Sequence, residues 1–206
     1  MKVVALAMML LAAMLGVTCV TRGVSAQTAA LDAPLKAGTY AVDPGRTHIA
    51  FALLRLGFAY YSGTFADPSG TLRLDPAKPS GTTLQVTMPI GSLSTGTTAI
   101  DSDLKGPSWF DAAQYPIAVF TSTSVIATGP DSAEITGTLT LHGVTRLATL
   151  AARYVSAGIN PLTRSYEVGF EAATTIKRSE FGLTAFLPII GDDVRLTITG
   201  VFVAQR

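Results

Sequence analysis

The sequence predicts an all-β protein, either a sandwich or a barrel, with one short helical insert. Apolar and polar residues alternate with a period of two in many short runs, and threonine is common at the polar positions. Clusters of Gly, Pro, Asp and Ser separate these runs at short intervals. Charged residues make up only 14% of the chain, below the ~25% usual for soluble domains. Together these features indicate many short antiparallel strands.

Residues 1–26 have the composition of a secretory signal peptide. Lys2 gives a short positive region, Val3–Val17 is almost wholly apolar, and Val24–Ala26 is a small-residue cleavage site. The apolar run is shorter than the roughly 20 residues of a spanning helix, so we expect removal rather than retention as an anchor. The single cysteine, Cys19, is removed with it, and the mature chain must fold without a disulfide.

The mature chain is nearly neutral. Lys and Arg total 15 against 14 Asp and Glu, and two of the basic residues, Lys2 and Arg22, lie in the signal peptide. No basic field for nucleic acid and no polybasic patch for anionic lipid is present. Residues 27–37 are predicted to form a flexible arm, and residues 38–206 a single barrel or sandwich domain.

The predicted strands follow in order along this domain. Alternation marks residues 47–53, 71–74, 83–88 and 194–199, and residues 139–141 and 144–154 are predicted as the end of one further strand and the start of the next. Two runs, 50–54 and 186–190, are apolar at nearly every position, as expected of strands covered on both faces. These runs fit a closed barrel and an ordinary sandwich equally well.

One segment, 94–116, lacks the period of two. Thr97 or Thr98 is predicted to cap a short helix that runs through Leu104 and ends at Gly106. Residues 109–113 suit one further helical turn.

Most kinds of active site lack the residues they need. Outside the signal peptide the chain has two histidines, His48 and His142, and no cysteine, too few for a structural zinc site. It has no G-x-S-x-G nucleophile motif and no glycine-rich phosphate loop. We therefore predict no catalytic residue, metal or cofactor. An apolar pocket with a few polar groups remains as the candidate site.

Four segments, in this order, resemble the YceI family of lipocalin-like periplasmic proteins that bind polyisoprenoids. They are YAVDPGRTHIAF with LGFAYYSGTF, then SLSTGTTAIDSDLKGPSWFDAAQYPIAVFTSTSV, ITGTLTLHGVTRLATL and IKRSEFGL. The resemblance extends from about Gly38 to Val203, nearly the whole mature chain.

The resemblance implies an extended antiparallel lipocalin-like β-barrel of about eight strands with a helix against it. It also implies a periplasmic location and a long apolar channel for a polyisoprenoid, an isoprenoid quinone or a similar lipid, which burial of apolar surface would hold at roughly 25 cal/mol per Å². A homodimer is a further possibility. The predicted channel residues are Phe51, Leu53, Phe58, Phe65, Leu84, Val86, Phe120, Phe170, Leu196 and Ile198, with Trp109, Phe110 and Tyr115 closing or rimming the channel.

Two polar residues receive specific predictions. Arg55 stands where family members often carry a histidine, and we expect its fixed charge to meet the polar head of the ligand. His142, with Gly143, is predicted to form the turn between two strands rather than to shuttle protons.

Two other functions stay open at this point. An enzyme could act on a lipid held in the barrel, with His142, Arg178 and Glu180 as candidates, although Arg178 and Glu180 are expected to form an ion pair in a turn. Alternatively, the barrel could be structural and filled by its own side chains.

Overall fold

The computed structural model describes residues 33–205, which form ten strands and one α-helix. The signal-peptide prediction lies outside the described residues. The strands are β1 (Gly38–Val42), β2 (His48–Arg55), β3 (Ala59–Phe65), β4 (Ser69–Leu74), β5 (Thr83–Pro89), β6 (Ile117–Ala127), β7 (Ser132–Leu141), β8 (Val144–Ile159), β9 (Tyr166–Lys177) and β10 (Ile190–Ala204), and the helix is α1 (Thr98–Lys105).

Eight strands close into an antiparallel barrel. Their order is β1-β4-β5-β6-β7-β8-β9-β10, and β10 returns to pair with β1. The closing register sets Tyr40 opposite Ala204 and Val42 opposite Phe202. The predicted class, an extended barrel of about eight strands with one short helix, is confirmed, and closure decides between the barrel and the sandwich.

The two remaining strands extend the barrel wall. β2 pairs with β10 from Ile190 to Thr199, next to the stretch of β10 that pairs with β1. β1 and β2 therefore lie end to end along one edge of β10, and β3 pairs with β2 as β4 does with β1. β3 meets the chain beyond β5 through a single bridge, Thr64 to Ser94.

The helix lies where the sequence placed it, with Thr97 at the N-cap position. α1 begins at Thr98 after the extended residue Thr97, but the Thr97 side chain makes no capping hydrogen bond. Instead Asp101 accepts hydrogen bonds from the backbone N–H and the hydroxyl of Thr95. These bonds tie the first turn to the chain that leads into it.

Two local predictions were wrong. Residues 109–113 form hydrogen-bonded turns rather than a helical turn, with the Phe110 N–H bonded to the Leu104 carbonyl. Residues 186–189 are also turns, and β10 begins only at Ile190. Pro188 has no N–H for a strand ladder and Phe186 has a positive φ of 58°, so this apolar run cannot continue a sheet.

Apolar clusters pack both ends of the barrel. Near α1, the buried side chains of Phe51, Phe65, Leu93, Phe181 and Leu183 form one cluster, against which Leu104 and Phe110 pack. At the far end, a second cluster is built on Tyr40, Val42, Leu72, Val168 and Phe202. The two clusters hold the barrel together towards its two ends.

Residues 33–37, the last part of the predicted arm, contact the far end of the barrel. The Ala33 N–H donates to the Ala157 carbonyl at 2.9 Å, the Tyr166 hydroxyl donates to the Pro34 carbonyl, and Leu35 packs on the second cluster. These contacts hold Ala33, Pro34 and Leu35 against the wall. Within residues 33–205, no helix has the length and apolarity to cross a bilayer.

A charged cluster outside the barrel should make its stability sensitive to acid. Arg46 donates to Asp43 at 2.7 Å and to Glu167 at 2.6 Å. The hydrogen bonds from Arg46 lower the pKa of both carboxyl groups, against a smaller opposing effect of burial. A carboxyl group with a lowered pKa stabilises the fold above its unfolded pKa, about 4.3 for Glu. That stabilisation is lost as the pH falls through the folded value.

We therefore expect Glu167→Gln to reduce the loss of thermal stability between about pH 7 and about pH 3.5, because the amide does not titrate. Thermal unfolding followed by circular dichroism measures this difference. Glu171→Gln is the control, since the Arg153–Glu171 pair is exposed at 60% and 50%, and such pairs contribute little. An acid loss in Glu167→Gln as large as in wild type would contradict the prediction.

Candidate functional site

A cavity of about 570 Å³ runs through the barrel. At one end it reaches Leu35, Leu74 and Pro79, and at the other it reaches Trp109 and Phe186. Its volume lies within the 300–1,000 Å³ typical of ligand sites. The interior of the barrel is therefore not filled by its own side chains.

Alternation along the strands gives the cavity its apolar wall. On β10, Val194, Leu196 and Ile198 face the cavity, whereas the intervening Arg195 and Thr197 are exposed. On β2, Phe51 and Leu53 line the cavity in the same way. The period of two in the sequence thus becomes one apolar surface inside and one polar surface outside.

A glycine on the neighbouring strand makes room for the Phe51 ring. Gly63 lies opposite Phe51 in the β2–β3 register, and a Cβ there would lie 2.6 Å from the ring. Phe51 consequently packs on Phe65 at 5.5 Å, and Phe65 meets Phe110 edge to face at 6.0 Å. This aromatic series joins the barrel wall to the turns after α1.

Three side chains from separate segments meet at the α1 end of the cavity. The Trp109 ring stacks on Phe186 at 6.0 Å, and the guanidinium carbon of Arg178 lies 5.4 Å from the centre of the Trp109 ring. All three residues line the cavity. They form its rim together with Arg55, Tyr61 and Asp103.

Arg178 is buried, with 3% of its surface exposed. Its guanidinium donates to the carbonyl oxygens of Gly191, Leu183, Ala185 and Ile190. Burial lowers the pKa of Arg178, and Asp192 opposes this effect. Among the described residues no ion pair joins Arg178 to Glu180, so that prediction was wrong. Four carbonyls from one looped segment satisfy this cation instead.

All of the predicted channel and rim residues line the cavity except Phe58 and Tyr115. The residues that do so are Phe51, Leu53, Arg55, Phe65, Leu84, Val86, Trp109, Phe110, Phe120, Phe170, Leu196 and Ile198. Whether they contact a ligand stays a prediction.

Phe58 and Tyr115 lie elsewhere for identifiable reasons. Phe58 is 92% exposed in the loop between β2 and β3, where strand alternation no longer decides which way a side chain points. Tyr115 packs edge to face on His142 at 4.6 Å, outside the cavity. Phe58 was predicted as an inward-facing strand residue, but the strand ends at Arg55, before Phe58.

His142 and Gly143 form a two-residue hairpin turn, as predicted. Leu141 pairs with Val144, and both turn residues have positive φ, 50° and 73°, as a type I′ turn requires. The His142 ring lies within hydrogen-bonding distance of the Phe181 carbonyl, 3.1 Å from its Nδ1 atom. Of the enzyme hypothesis's three candidates, only Arg178 lines the cavity.

The sequence interpretation did not assign four residues of the rim to the channel: Tyr61, Asp103, Arg178 and Phe186. Tyr61 lines the cavity and lies four residues before Phe65 on β3. Residues four apart on a strand face the same side, so strand alternation could have predicted its position. Arg178 is different, because no pattern in IKRSEFGL shows that its charge is buried. Among residues 33–205, no group of three or more His, Cys, Asp or Glu side chains is placed to hold a metal ion.

Comparison with known proteins gives consistent matches. The YceI-like domain matches residues 40–202. A UPF0312 protein of Azotobacter vinelandii is 33% identical over 165 residues. The aligned region covers 79% of this chain and 85% of the A. vinelandii protein. Protein YceI of Salmonella arizonae is 36% identical over 172 residues, covering 82% and 89%.

Solved structures share the fold. Burkholderia cenocepacia BcnA superposes with a TM-score of 0.70 at 25% identity, covering 78% of this chain and 98% of BcnA. A polyisoprenoid-binding domain from Saccharophagus degradans, implicated in plant cell wall breakdown, superposes with a TM-score of 0.62 at 18% identity. The superposition covers 82% of this chain and 100% of the S. degradans domain.

Proposed function

This chain belongs to the YceI-like domain family, and from that premise we propose that it is a periplasmic carrier for a long-chain amphiphile. The ligand class is a polyisoprenoid, an isoprenoid quinone or a lipid of similar shape. The observation that carries the proposal is the cavity of about 570 Å³, which reaches both ends of the barrel and has an apolar wall.

The chemistry of the wall supports this ligand class. Aliphatic and aromatic side chains surround the middle of the cavity, and its charged residues, such as Arg55, Asp75 and Asp131, occur towards the two ends. A long apolar tail fits such a wall because its affinity comes from buried surface, at roughly 25 cal/mol per Å², and needs no directional bond. The fold shared with the S. degradans domain, which is described as polyisoprenoid-binding, agrees with this choice.

A carrier also needs to reach its lipid and to return it unchanged. The predicted signal peptide would deliver the chain to the periplasm. Arg178 gives all its observed hydrogen bonds to backbone carbonyls, which suits a structural part of the rim. We therefore favour binding over catalysis.

The test is to purify the mature protein from the periplasm without detergent, extract it with organic solvent and identify the extract by mass spectrometry. We expect one long-chain amphiphile at close to one equivalent per barrel. The delipidated protein should take up added polyprenyl lipid and release it chemically unchanged. Protein that carries no lipid and refuses added lipid would overturn the proposal, and a chemically altered lipid would favour an enzyme.

A further inference from the structure

Half of the exposed large apolar side chains in residues 33–205 lie together at the α1 end of the barrel. They belong to the β2–β3 hairpin and to the turns before β10, and we call them the apolar patch: Leu54, Leu56, Phe58, Tyr60, Phe186 and Ile189. The two segments touch, because the Leu56 N–H donates to the Ile189 carbonyl at 2.8 Å. Exposed apolar surfaces of this kind mark interaction sites.

The backbone of the patch holds large side chains at turn positions that suit them poorly. Leu56 and Phe186 have positive φ, 55° and 58°, a region that bulky residues rarely adopt and that asparagine tolerates better. Phe58, at the hairpin, is 92% exposed. Folding alone would favour smaller or more polar residues here, so the patch points to a role in binding.

The apolar patch is continuous with the mouth of the cavity. Phe186 belongs to both, since it is 64% exposed, stacks on Trp109 and lines the cavity. A lipid tail that leaves the cavity at this end therefore meets the patch before it meets water. The mouth at the far end differs, because its lining includes the carboxylates of Asp75 and Asp131.

The composition of the patch favours a lipid bilayer as its partner. Residues 54–61 and 183–190 contain one charged residue, Arg55, and no carboxylate, so neither segment carries a negative charge that would oppose contact with phospholipid head groups. Apolar and aromatic side chains at loop tips bury readily at the boundary between head groups and acyl chains.

From this arrangement, we propose that the apolar patch docks the protein on the surface of a lipid bilayer, with the α1 mouth of the cavity facing the membrane. The lipid then enters and leaves the barrel at this end without exposing its tail to water. The inference rests on the proposed carrier function and adds to it the partner surface and the end of the barrel through which the ligand passes.

The test compares wild type with the double variant Leu56→Asn, Phe58→Asn in co-sedimentation with phosphatidylcholine vesicles. We expect the variant to bind the vesicles at least about tenfold more weakly, because two apolar side chains no longer bury in the bilayer. Asparagine accepts the positive φ at position 56, so the hairpin should keep its shape.

A second pair of apolar residues gives a matched control. Ile159 and Leu162 are exposed at 53% and 90%, against 56% and 92% for Leu56 and Phe58. They lie at the far end, where Tyr166 pairs with Ile159 and donates to the Pro34 carbonyl. The double variant Ile159→Asn, Leu162→Asn should bind vesicles as wild type does, and equal losses in the two double variants would overturn the proposal.

Trp109 reports which end of the barrel meets the membrane. It is the only tryptophan of the chain and lies at the α1 rim. Vesicles of brominated phosphatidylcholine should quench its fluorescence in wild type, whereas unbrominated vesicles should not. Protein that binds the brominated vesicles without quenching would overturn the proposed orientation and the docking role of the patch.

The outcomes separate the docking role from the function on which it rests. N-phenyl-1-naphthylamine, added from solution, tests the cavity without a membrane, and neither Leu56 nor Phe58 lines the cavity, so the patch variant should bind this dye as wild type does. Wild type that binds the dye but no vesicles, or that uses the patch only to dimerise, would overturn docking and leave the carrier intact. Wild type that binds vesicles but neither the dye nor polyprenyl lipid would overturn the carrier function and leave the docking surface.

Discussion

Replacing Arg178 by methionine is expected to lower the free energy of unfolding by about 3 kcal/mol or more, because four carbonyl groups lose hydrogen bonds to a charged donor, each typically worth about 1.5–3 kcal/mol. Methionine keeps much of the side-chain length and removes every donor. The carbonyl groups of Leu183, Ala185, Ile190 and Gly191 would then lose the cation that they share. Urea unfolding followed by fluorescence and circular dichroism measures the change.

Arg153→Met is the control for this prediction. Arg153 also makes a charged hydrogen bond, to Glu171 at 2.6 Å, but on the exposed outer face. Its loss should cost no more than about 1 kcal/mol. Equal effects in the two variants would show that the buried guanidinium does not organise the segment from 183 to 191.

The second large effect is expected from narrowing the channel. Ala152 and Ala172 lie opposite each other on β8 and β9, and both line the cavity. Replacing both with phenylalanine should lower the affinity for a polyprenyl lipid at least about tenfold, because the rings would take the place of the tail and its buried surface. Overpacking a filled core typically costs about 1–3 kcal/mol, and the open cavity should keep the cost below that range.

The neighbouring pair of residues on the two strands gives a matched control. Ala151 and Ala173 also lie opposite each other, with both side chains exposed on the outer face. Phenylalanine at these two positions adds the same volume outside the barrel and should leave lipid uptake unchanged. Uptake that survives the inner double substitution in a folded protein would show that the tail does not occupy this part of the channel.

The strands and most of the channel were predictable because one physical rule governs both. In β10, the residues that alternate in the sequence are those that alternate between cavity and solvent, so Leu196 and Ile198 could be placed correctly. The same rule fails where the chain leaves the sheet. Phe58 lies in a loop and Phe186 in a turn, and an apolar side chain in either place need not face the core.

The rim depends on contacts that no local pattern contains. Arg178 is held by carbonyls up to 13 residues further along the chain, and Trp109 meets Phe186 from a separate segment. Position in the sequence shows neither the burial of Arg178 nor its partners. The closure of β1 on β10 is similarly invisible in either strand alone, and here the resemblance to a known family supplied what alternation could not.

That closure has a consequence for how the chain folds. The ring is complete only when Tyr40 of the first strand meets Ala204 of the last, which leaves nearly the whole domain as the loop between them. Contacts so distant in sequence form slowly. During synthesis, the first strand therefore stays unpaired with the last until the last has been made. Until then the apolar inner faces of the strands are exposed to water. A chaperone that covers them would shorten the time in which two partly folded chains can aggregate.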